Sequence, residues 1–264
     1  MTQYPPIPPE PLAPSPADSL PGRAQPRMWA LIATAGSGSR AGGSVPKQYR
    51  TVAGRPLVWH TLAAFAAVSR IERTLVLLAP GDAGFAALAP QATASQEGVP
   101  CGSTTRAGTV GNGLAALRAR GAQDHDWVLV HDAARCLVTA TLIDRLIDAC
   151  VDDPVGGLLA LPASDTVKRG ADGRVAATVD RRVHWLAQTP QMFRLAMLQD
   201  AMRLAGDGVT DESSAIEASG RSPLLVPGDA SNFKVTHPID FAMAQAVLLS
   251  RRKTHGEELL YDYP

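Results

Sequence analysis

The sequence predicts an α/β fold in which a mostly parallel, twisted sheet is covered by helices. Short apolar runs typical of buried strands occur at 28–33, 74–78, 127–130 and 156–161. Between these runs, apolar residues follow helical spacing at 57–68, 111–118 and 141–151. Strands and helices that alternate in this order indicate a Rossmann-like arrangement of parallel strands.

The chain is long enough for one enzyme-sized domain between two tails. Its 264 residues can bury a full core, and we expect a single domain over residues 28–252. Residues 1–27 hold nine of the 21 prolines and few large apolar side chains, which predicts a disordered tail. Residues 253–264 are expected to form a polar C-terminal tail.

Charge, cysteine content and hydropathy exclude several classes of protein. The 25 lysines and arginines are balanced by 25 acidic residues, so we expect no nucleic-acid partner. The three cysteines form no C-x-x-C pair, which argues against a disulfide framework or a zinc site and favours a reducing cytoplasm. No apolar run approaches the roughly 18 residues of a membrane span, so we expect no membrane association.

A polar, β-prone segment at about 163–186 interrupts the alternation of strands and helices. It surrounds the turn Ala171-Asp172-Gly173 and predicts a protruding β-hairpin arm. A charged hairpin considered alone is usually an ordinary exposed element. Further along, residues 224–226 favour another strand, and a helix is expected from 236–238 to about Leu249.

A Gly-rich loop follows the first strand, where open α/β sheets bind ligands. It reads Thr34-Ala35-Gly36-Ser37-Gly38-Ser39-Arg40, and Lys47 comes shortly after. Small residues allow backbone N–H groups to surround phosphate oxygens, and Arg40 and Lys47 would add positive charge. The alternative is a simple turn with two solvated cations.

Two other phosphate-binding motifs fit this loop less well. The spacing Gly36-x-Gly38-x-x-Ala41 formally satisfies the dinucleotide fingerprint, but the first acidic residue after it is Glu72, too far along the chain to hold the ribose. A Walker A loop requires Ser or Thr after its lysine, and Lys47 is followed by Gln48.

A second candidate loop ends the strand at 127–130 and reads His131-Asp132-Ala133-Ala134-Arg135. An aspartate at this point can face a metal-bound nucleotide. Alternatively, Asp132 caps the following helix and pairs with Arg135.

These motifs resemble the signatures of the 2-C-methyl-D-erythritol 4-phosphate cytidylyltransferase family. The likeness rests on A-x-A-G-x-G-x-R, P-K-Q-Y and V-H-D-A-A-R, and on matching stretches at 102–110, 165–191, 210–215 and 232–236. It spans Trp29 to about Leu249 in the family's order. The chain departs from the family at Cys136, where proline is usual, and at Ser103 and Thr104, where a small and an acidic residue are usual.

The resemblance implies a nucleotidyltransferase fold and transfer of a cytidylyl group from CTP to methylerythritol 4-phosphate, with Mg²⁺. It also implies a homodimer in which each arm reaches the partner's site. The implied catalytic residues are Arg40, Lys47, Arg181 and Lys234. The implied nucleotide-binding residues are Thr34, Ala35, Gly36, Gly38, Ser103, Thr104 and Thr109. The implied acceptor-binding residues are Asp132, Arg135, Thr166, Arg181, Thr189 and Lys234, with Asp132 also the metal ligand.

Two alternatives to this function stay open from the sequence. The acceptor could be ribitol 5-phosphate or another polyol phosphate, because such enzymes share the Gly-rich loop and the strand-end aspartate. The chain could also be a module that binds a nucleotide without turning it over.

Overall fold

The computed structural model describes residues 25–36, 42, 45–88 and 94–254. Most of the predicted N-terminal tail, the C-terminal tail beyond Thr254, and Gly38 and Arg40 of the Gly-rich loop lie outside the described residues. No helix in the described ranges is both long enough and apolar enough to span a bilayer.

The predicted α/β fold is confirmed, with a seven-stranded, mostly parallel sheet at its centre. In chain order the strands of the main sheet are β1 (Met28–Ala33), β4 (Ile71–Leu77), β5 (Gln96–Val99), β6 (Trp127–Asp132), β7 (Gly156–Pro162), β10 (Trp185–Arg194) and β11 (Leu224–Pro227). They lie in the order β11-β7-β10-β6-β1-β4-β5. Two small hairpins complete the strands: β2 (Thr51–Val52) with β3 (Arg55–Pro56), and β8 (Lys168–Ala171) with β9 (Arg174–Thr178).

Seven α-helices connect and cover the strands within the described ranges. They are α1 (Leu57–Ala66), α2 (Gly84–Leu88), α3 (Arg106–Ala119), α4 (Ala140–Cys150), α5 (Leu195–Ala205), α6 (Glu212–Ala218) and α7 (Pro238–Thr254). The predicted helix at 111–118 therefore begins five residues earlier, where the Thr105 side chain accepts from the Gly108 backbone N–H and caps α3.

Side chains of β1 alternate between two cores because successive strand residues point to opposite faces of a sheet. Ala30 and Ile32 join the apolar cluster beneath α1 and α4. Trp29 and Leu31 join the cluster beneath α3 and α5. The first strand is therefore buried on both faces, which explains its continuous apolar sequence.

One strand of the mostly parallel sheet runs antiparallel to its neighbours. Residues 188–191 follow the predicted arm and belong to β10, which pairs antiparallel with both β6 and β7 at the centre of the sheet. The pairing with β7 is interrupted between Ala187 and Gln191. Residues 188–191 are four polar or proline residues in a row, so this strand has no continuous apolar run. Gln188, Thr189 and Gln191 are nevertheless buried.

The predicted hairpin is present as β8 and β9, which pair only with each other. Its turn places Asp172 at φ 50° and Gly173 at φ 73°, a conformation that suits Asp and Gly. The arm leaves large apolar side chains exposed at Val175, Val183 and Leu186.

Candidate active site

A cavity of about 610 Å³ opens beyond the carboxyl ends of β1 and β6. The two strands are parallel neighbours, and their register sets Ala33 beside Asp132. Ligands bind at this edge in open α/β sheets. The lining residues come from five segments that are distant in sequence: 33–36, 47–48 with Leu57, 103–109, 132–134 and 234–236.

The described part of the Gly-rich loop is fixed by hydrogen bonds at its base. The Thr34 hydroxyl donates to the Leu77 carbonyl oxygen at 2.7 Å, and the Gln48 side-chain amide donates to the Thr34 carbonyl at 3.0 Å. Ala35 and Gly36 follow and line the cavity with little side-chain bulk. This leaves room for a ligand to approach the backbone closely.

Lys47 also lines the cavity and lies in a short 3-10 helix at Lys47–Tyr49. Its ammonium group donates to the Val235 carbonyl at 3.2 Å. This contact brings the loop after β11, which carries Lys234, to the same cavity. The two predicted catalytic lysines, 47 and 234, therefore share one site.

The three predicted nucleotide-binding residues at 103–109 form the rim near the start of α3. Ser103 and Thr104 are exposed and line the cavity, whereas Thr109 is buried. The Thr109 hydroxyl accepts from the Ser103 backbone N–H at 3.0 Å and donates to the Thr105 carbonyl at 3.0 Å. Thr109 thus shapes the loop that presents Ser103 and Thr104.

Four charged side chains form a continuous network at one wall of the cavity. Asp132 accepts from Arg106 Nε at 2.8 Å on one oxygen and from Lys234 Nζ at 2.6 Å on the other. The two terminal nitrogens of Arg106 donate to Glu212 at 2.7 and 3.1 Å. Formal charges in this network sum to zero, so bound phosphate would meet cations that already have anionic partners.

Electrostatics keep Asp132 ionised in spite of its burial. Burial alone would raise its pKa, but the charges of Arg106 and Lys234 lower the pKa well below the ordinary aspartate value. Burial raises the pKa of Glu212, and the charge of Arg106 opposes that rise. Glu212 is fully buried, whereas the Arg106 side chain is 27% exposed and faces the cavity.

A buried polar chain orients Asp132 from behind. The Asp132 backbone N–H donates to the Thr189 hydroxyl at 3.1 Å, which leaves the hydroxyl proton for His131 Nδ1, also at 3.1 Å. The other ring nitrogen of His131 lies 3.3 Å from the Arg135 carbonyl oxygen and therefore carries the proton. Burial lowers the pKa of His131 to about 3, so the ring is neutral at pH 7.

Four predicted acceptor-binding residues do not line this cavity within the described chain: Arg135, Thr166, Arg181 and the buried Thr189. Arg135 donates instead to the carbonyl oxygens of Asn232 at 2.8 Å and Ala187 at 3.1 Å. Thr166 and Arg181 lie at the exposed arm, where Arg181 donates to the Ser164 carbonyl.

The residues present fit a cation that arrives with a nucleotide better than a resident metal. Among the described residues, no group of three or more His, Cys, Asp or Glu side chains could hold a metal ion. Mg²⁺ often needs only one or two carboxylates when substrate phosphates supply further oxygens. Asp132 meets that requirement at the cavity wall.

Sequence reasoning assigned no role to Arg106, Glu212 or Gln48. Arg106 and Glu212 stood inside recognised stretches, but they are 106 residues apart and nothing local indicates that they pair. Gln48 belongs to the P-K-Q-Y signature and excludes a Walker A motif, but nothing in the sequence indicates that its side chain holds the Gly-rich loop.

The fold is that of an α/β nucleotidyltransferase, and its cavity combines a loop of small residues with charged side chains at the carboxyl ends of the strands. The model of the 2-C-methyl-D-erythritol 4-phosphate cytidylyltransferase (IspD) family matches residues 28–250. The chain therefore belongs to that family, which confirms the resemblance predicted from its sequence.

Similar proteins cover almost all of the described chain. A bifunctional enzyme IspD/IspF of Albidiferax ferrireducens is 62% identical over 226 residues, 86% of this chain. The chain spans about half of that relative's length, 54%. A 2-C-methyl-D-erythritol 4-phosphate cytidylyltransferase of Burkholderia multivorans is 53% identical over 84% of this chain and 96% of its own length.

Solved structures agree with the sequence comparison. A crystal structure of 4-diphosphocytidyl-2C-methyl-D-erythritol synthase is 37% identical, with a TM-score of 0.74, and the match covers 85% of this chain and all of that one. The 2-C-methyl-D-erythritol 4-phosphate cytidylyltransferase of Thermus thermophilus is 31% identical, with a TM-score of 0.66 over 83% of this chain and 98% of its own.

Proposed function

We propose that this protein transfers a cytidylyl group from CTP to 2-C-methyl-D-erythritol 4-phosphate in isoprenoid precursor biosynthesis. The products would be 4-diphosphocytidyl-2-C-methyl-D-erythritol and pyrophosphate. The observation that carries the proposal is the cavity itself, where Lys47, Arg106, Lys234 and Asp132 face a loop of small residues at the carboxyl edge of the sheet. The names of the relatives give the acceptor and the transferred cytidylyl group.

The proposed reaction is an in-line displacement at phosphorus. An oxygen of the acceptor's phosphate attacks the α-phosphorus of CTP, the bond from that phosphorus to the β-phosphate bridging oxygen breaks, and pyrophosphate leaves. Because the attacking phosphate is already anionic at neutral pH, no general base is required. Catalysis then consists of positioning and charge neutralisation.

Each cavity wall has a proposed part in this reaction. The loop at 34–36, continued by Gly38, would hold the triphosphate through backbone N–H groups, while Ser103, Thr104 and Thr109 would border the nucleoside. Lys47 and Arg40 would stabilise negative charge that develops on the leaving pyrophosphate. Asp132 would hold Mg²⁺, which supplies charge neutralisation on the phosphate oxygens when bound.

We place the acceptor between the charge network and a neighbouring subunit. Lys234 would contact the acceptor's phosphate from within the chain, and Arg135 and Thr189 would support the loops around it. Thr166 and Arg181 would reach the site of a second copy, because both lie on an arm that exposes apolar side chains. Deleting the arm tip at 169–177 should then give a monomer in analytical ultracentrifugation, with turnover lost.

A matrix of nucleotides and acceptors tests the proposed function. Purified protein with Mg²⁺ receives CTP, UTP, ATP or GTP, together with methylerythritol 4-phosphate or ribitol 5-phosphate, and pyrophosphate release is followed. Release confined to CTP with methylerythritol 4-phosphate is the expected result. Pyrophosphate release with ribitol 5-phosphate would make that compound the acceptor in place of methylerythritol 4-phosphate. No pyrophosphate release with any pair would favour a module that only binds nucleotide.

A further inference from the structure

Glu212 is a buried charge for which the proposed reaction has no direct use. It is the first residue of α6 and is fully buried, with both carboxylate oxygens on the guanidinium of Arg106. An ion pair of this kind is an expensive way to stabilise a fold, because apolar residues of similar volume often do as well. Its geometry suggests that it orients another group.

The contacts of Arg106 show which group that is. Two terminal nitrogens point away from the cavity to Glu212, and Nε points to Asp132 at 2.8 Å. A guanidinium held at two nitrogens by one carboxylate has little rotational freedom. Arg106 therefore presents Nε in a fixed direction, and Asp132 takes its orientation from it.

Asp132 in turn carries Lys234, whose ammonium lies 2.6 Å from the second carboxylate oxygen. The Lys234 side chain is 37% exposed and has the freedom of a long flexible stem, so it gains most from a fixed partner. The contacts thus run from the buried Glu212 carboxylate to the more exposed of the two cations in the network.

We propose that Glu212 and Arg106 form a positioning pair that orients Asp132 and Lys234 toward the acceptor without Glu212 itself touching either substrate. This inference rests on the proposed function, in which Asp132 and Lys234 face the acceptor. Other hydrogen bonds hold the loop assigned to the triphosphate. The Gln48 amide donates to the Thr34 carbonyl, and the Thr34 hydroxyl donates to the Leu77 carbonyl. Loss of Glu212 should therefore affect the acceptor and spare the nucleotide.

The test is Glu212→Gln, which keeps the shape of the side chain and removes its charge. Its amide would face Arg106 with one donor where the carboxylate has an acceptor. We expect the KM for methylerythritol 4-phosphate to rise on the order of tenfold, the scale on which losing one charge-assisted hydrogen bond acts. The Kd for CTP, measured by calorimetry without Mg²⁺ so that Asp132 holds no metal ion, should stay within about threefold of the wild-type value, since the triphosphate loop has separate contacts.

A matched control uses a second bidentate pair away from the cavity. Arg120 donates to both carboxylate oxygens of Glu97, including Nε at 2.9 Å, and neither residue lines the cavity. Glu97→Gln makes the same chemical change there and should leave both the acceptor KM and the CTP affinity unchanged.

The double variant Arg106→Gln/Glu212→Gln separates positioning from simple charge compensation. If Glu212 serves only to neutralise buried Arg106, removing both charges restores the wild-type acceptor KM, and the proposal is overturned. If the pair positions Asp132, the double variant regains thermal stability but keeps the raised acceptor KM. The double variant alone decides the matter should Glu212→Gln fail to fold.

Assaying the wild-type protein in parallel distinguishes failure of the positioning role from failure of the proposed function. Turnover by wild type together with an unchanged acceptor KM in Glu212→Gln overturns the positioning role alone. Silence of the wild-type protein with every substrate pair overturns the proposed function and this inference together.

Discussion

Gly102 is the position where one added methyl group should separate two loops that border the cavity. A Cβ at this residue would lie 2.6 Å from the Ala35 Cβ, 2.8 Å from the Leu78 carbonyl oxygen and 3.0 Å from the Ala79 Cα. Ordinary contacts between carbon atoms are about 3.5–4.0 Å. The loops must therefore part by roughly 1 Å, and two of the three obstacles are backbone atoms that cannot rotate away.

The expected cost of Gly102→Ala has two parts. Overpacking of this kind costs about 1–3 kcal/mol of unfolding free energy, which lowers the Tm by about 2–4 °C for each kcal/mol in a chain of this size. A displacement near 1 Å in a substrate-holding loop can reduce turnover by about 100-fold. Since Ala35 lines the cavity, we expect weaker CTP binding and lower kcat together.

Gly111→Ala is the matched control, nine residues further along the chain. A Cβ there meets nothing within 4 Å, and the residue lies inside α3. Alanine is favoured over glycine in a helix by about 0.5–1 kcal/mol, so this variant should be slightly more stable with normal turnover. Calorimetric CTP titration and thermal unfolding measure both variants, and a Gly102→Ala protein that binds CTP as tightly as Gly111→Ala would refute the reasoning.

Three further changes give expected outcomes. Lys47→Ala and Arg40→Ala should each lower kcat by roughly 100-fold or more in steady-state assays, while CTP binding survives; near-normal turnover would remove both from the mechanism. Asp132→Asn removes the carboxylate charge that Arg106 and Lys234 share. It should lower the free energy of unfolding in urea by about 2–3 kcal/mol, less than the roughly 3–5 kcal/mol for breaking a fully buried ion pair; an unchanged unfolding midpoint would contradict the network. Burial would raise the pKa of Asp126, but hydrogen bonds from the Gln123 and Arg27 backbone N–H groups and from Trp29 lower it below the ordinary 3.8. Ionised Asp126 therefore stabilises the fold above about pH 4, and this stabilisation is lost as the pH falls through its lowered pKa. Asp126→Asn should make the free energy of unfolding depend less on pH in this acid range; the same pH dependence in the variant and the wild type would refute this.

Much of the fold could be predicted from local sequence because the strands that form the sheet's core are buried on both faces. β1, β6 and β7 stand out as apolar runs, and the structure confirms each of them within two residues. The helix α5 was overlooked although its sequence carries the signal. Its buried residues, Leu195, Leu198 and Met202, follow helical spacing.

β10 could not be found in the same way because tertiary contacts, not apolar side chains, hold its centre. Gln188 donates to the Asp229 carbonyl oxygen, and Gln191 donates to Asp211 and accepts from the Ser213 backbone N–H. Buried amides are stable only when such partners are supplied. The partners lie 20 to 41 residues away, so no local pattern predicts them.

The residues of the candidate site likewise include some that the sequence predicts and some that only the folded chain reveals. Lys47 and Asp132 were predicted from loops that follow strands and Lys234 from the family resemblance, and the structure brings all three to one cavity. Arg106 and Glu212 belong to the network only through contacts between α3 and the start of α6. Their placement needs the folded chain, whereas the roles of all these residues stay predictions.

Isotope labelling tests the central claim most directly. Methylerythritol 4-phosphate carrying ¹⁸O in its phosphate group is incubated with CTP, Mg²⁺ and the enzyme, and the products are analysed by mass spectrometry and ³¹P NMR. If the acceptor's phosphate oxygen attacks the α-phosphorus of CTP, all of the label stays in the diphosphate of the cytidylylated product, and pyrophosphate is unlabelled. Label in pyrophosphate, or in free phosphate released from the acceptor, would contradict the proposed transfer.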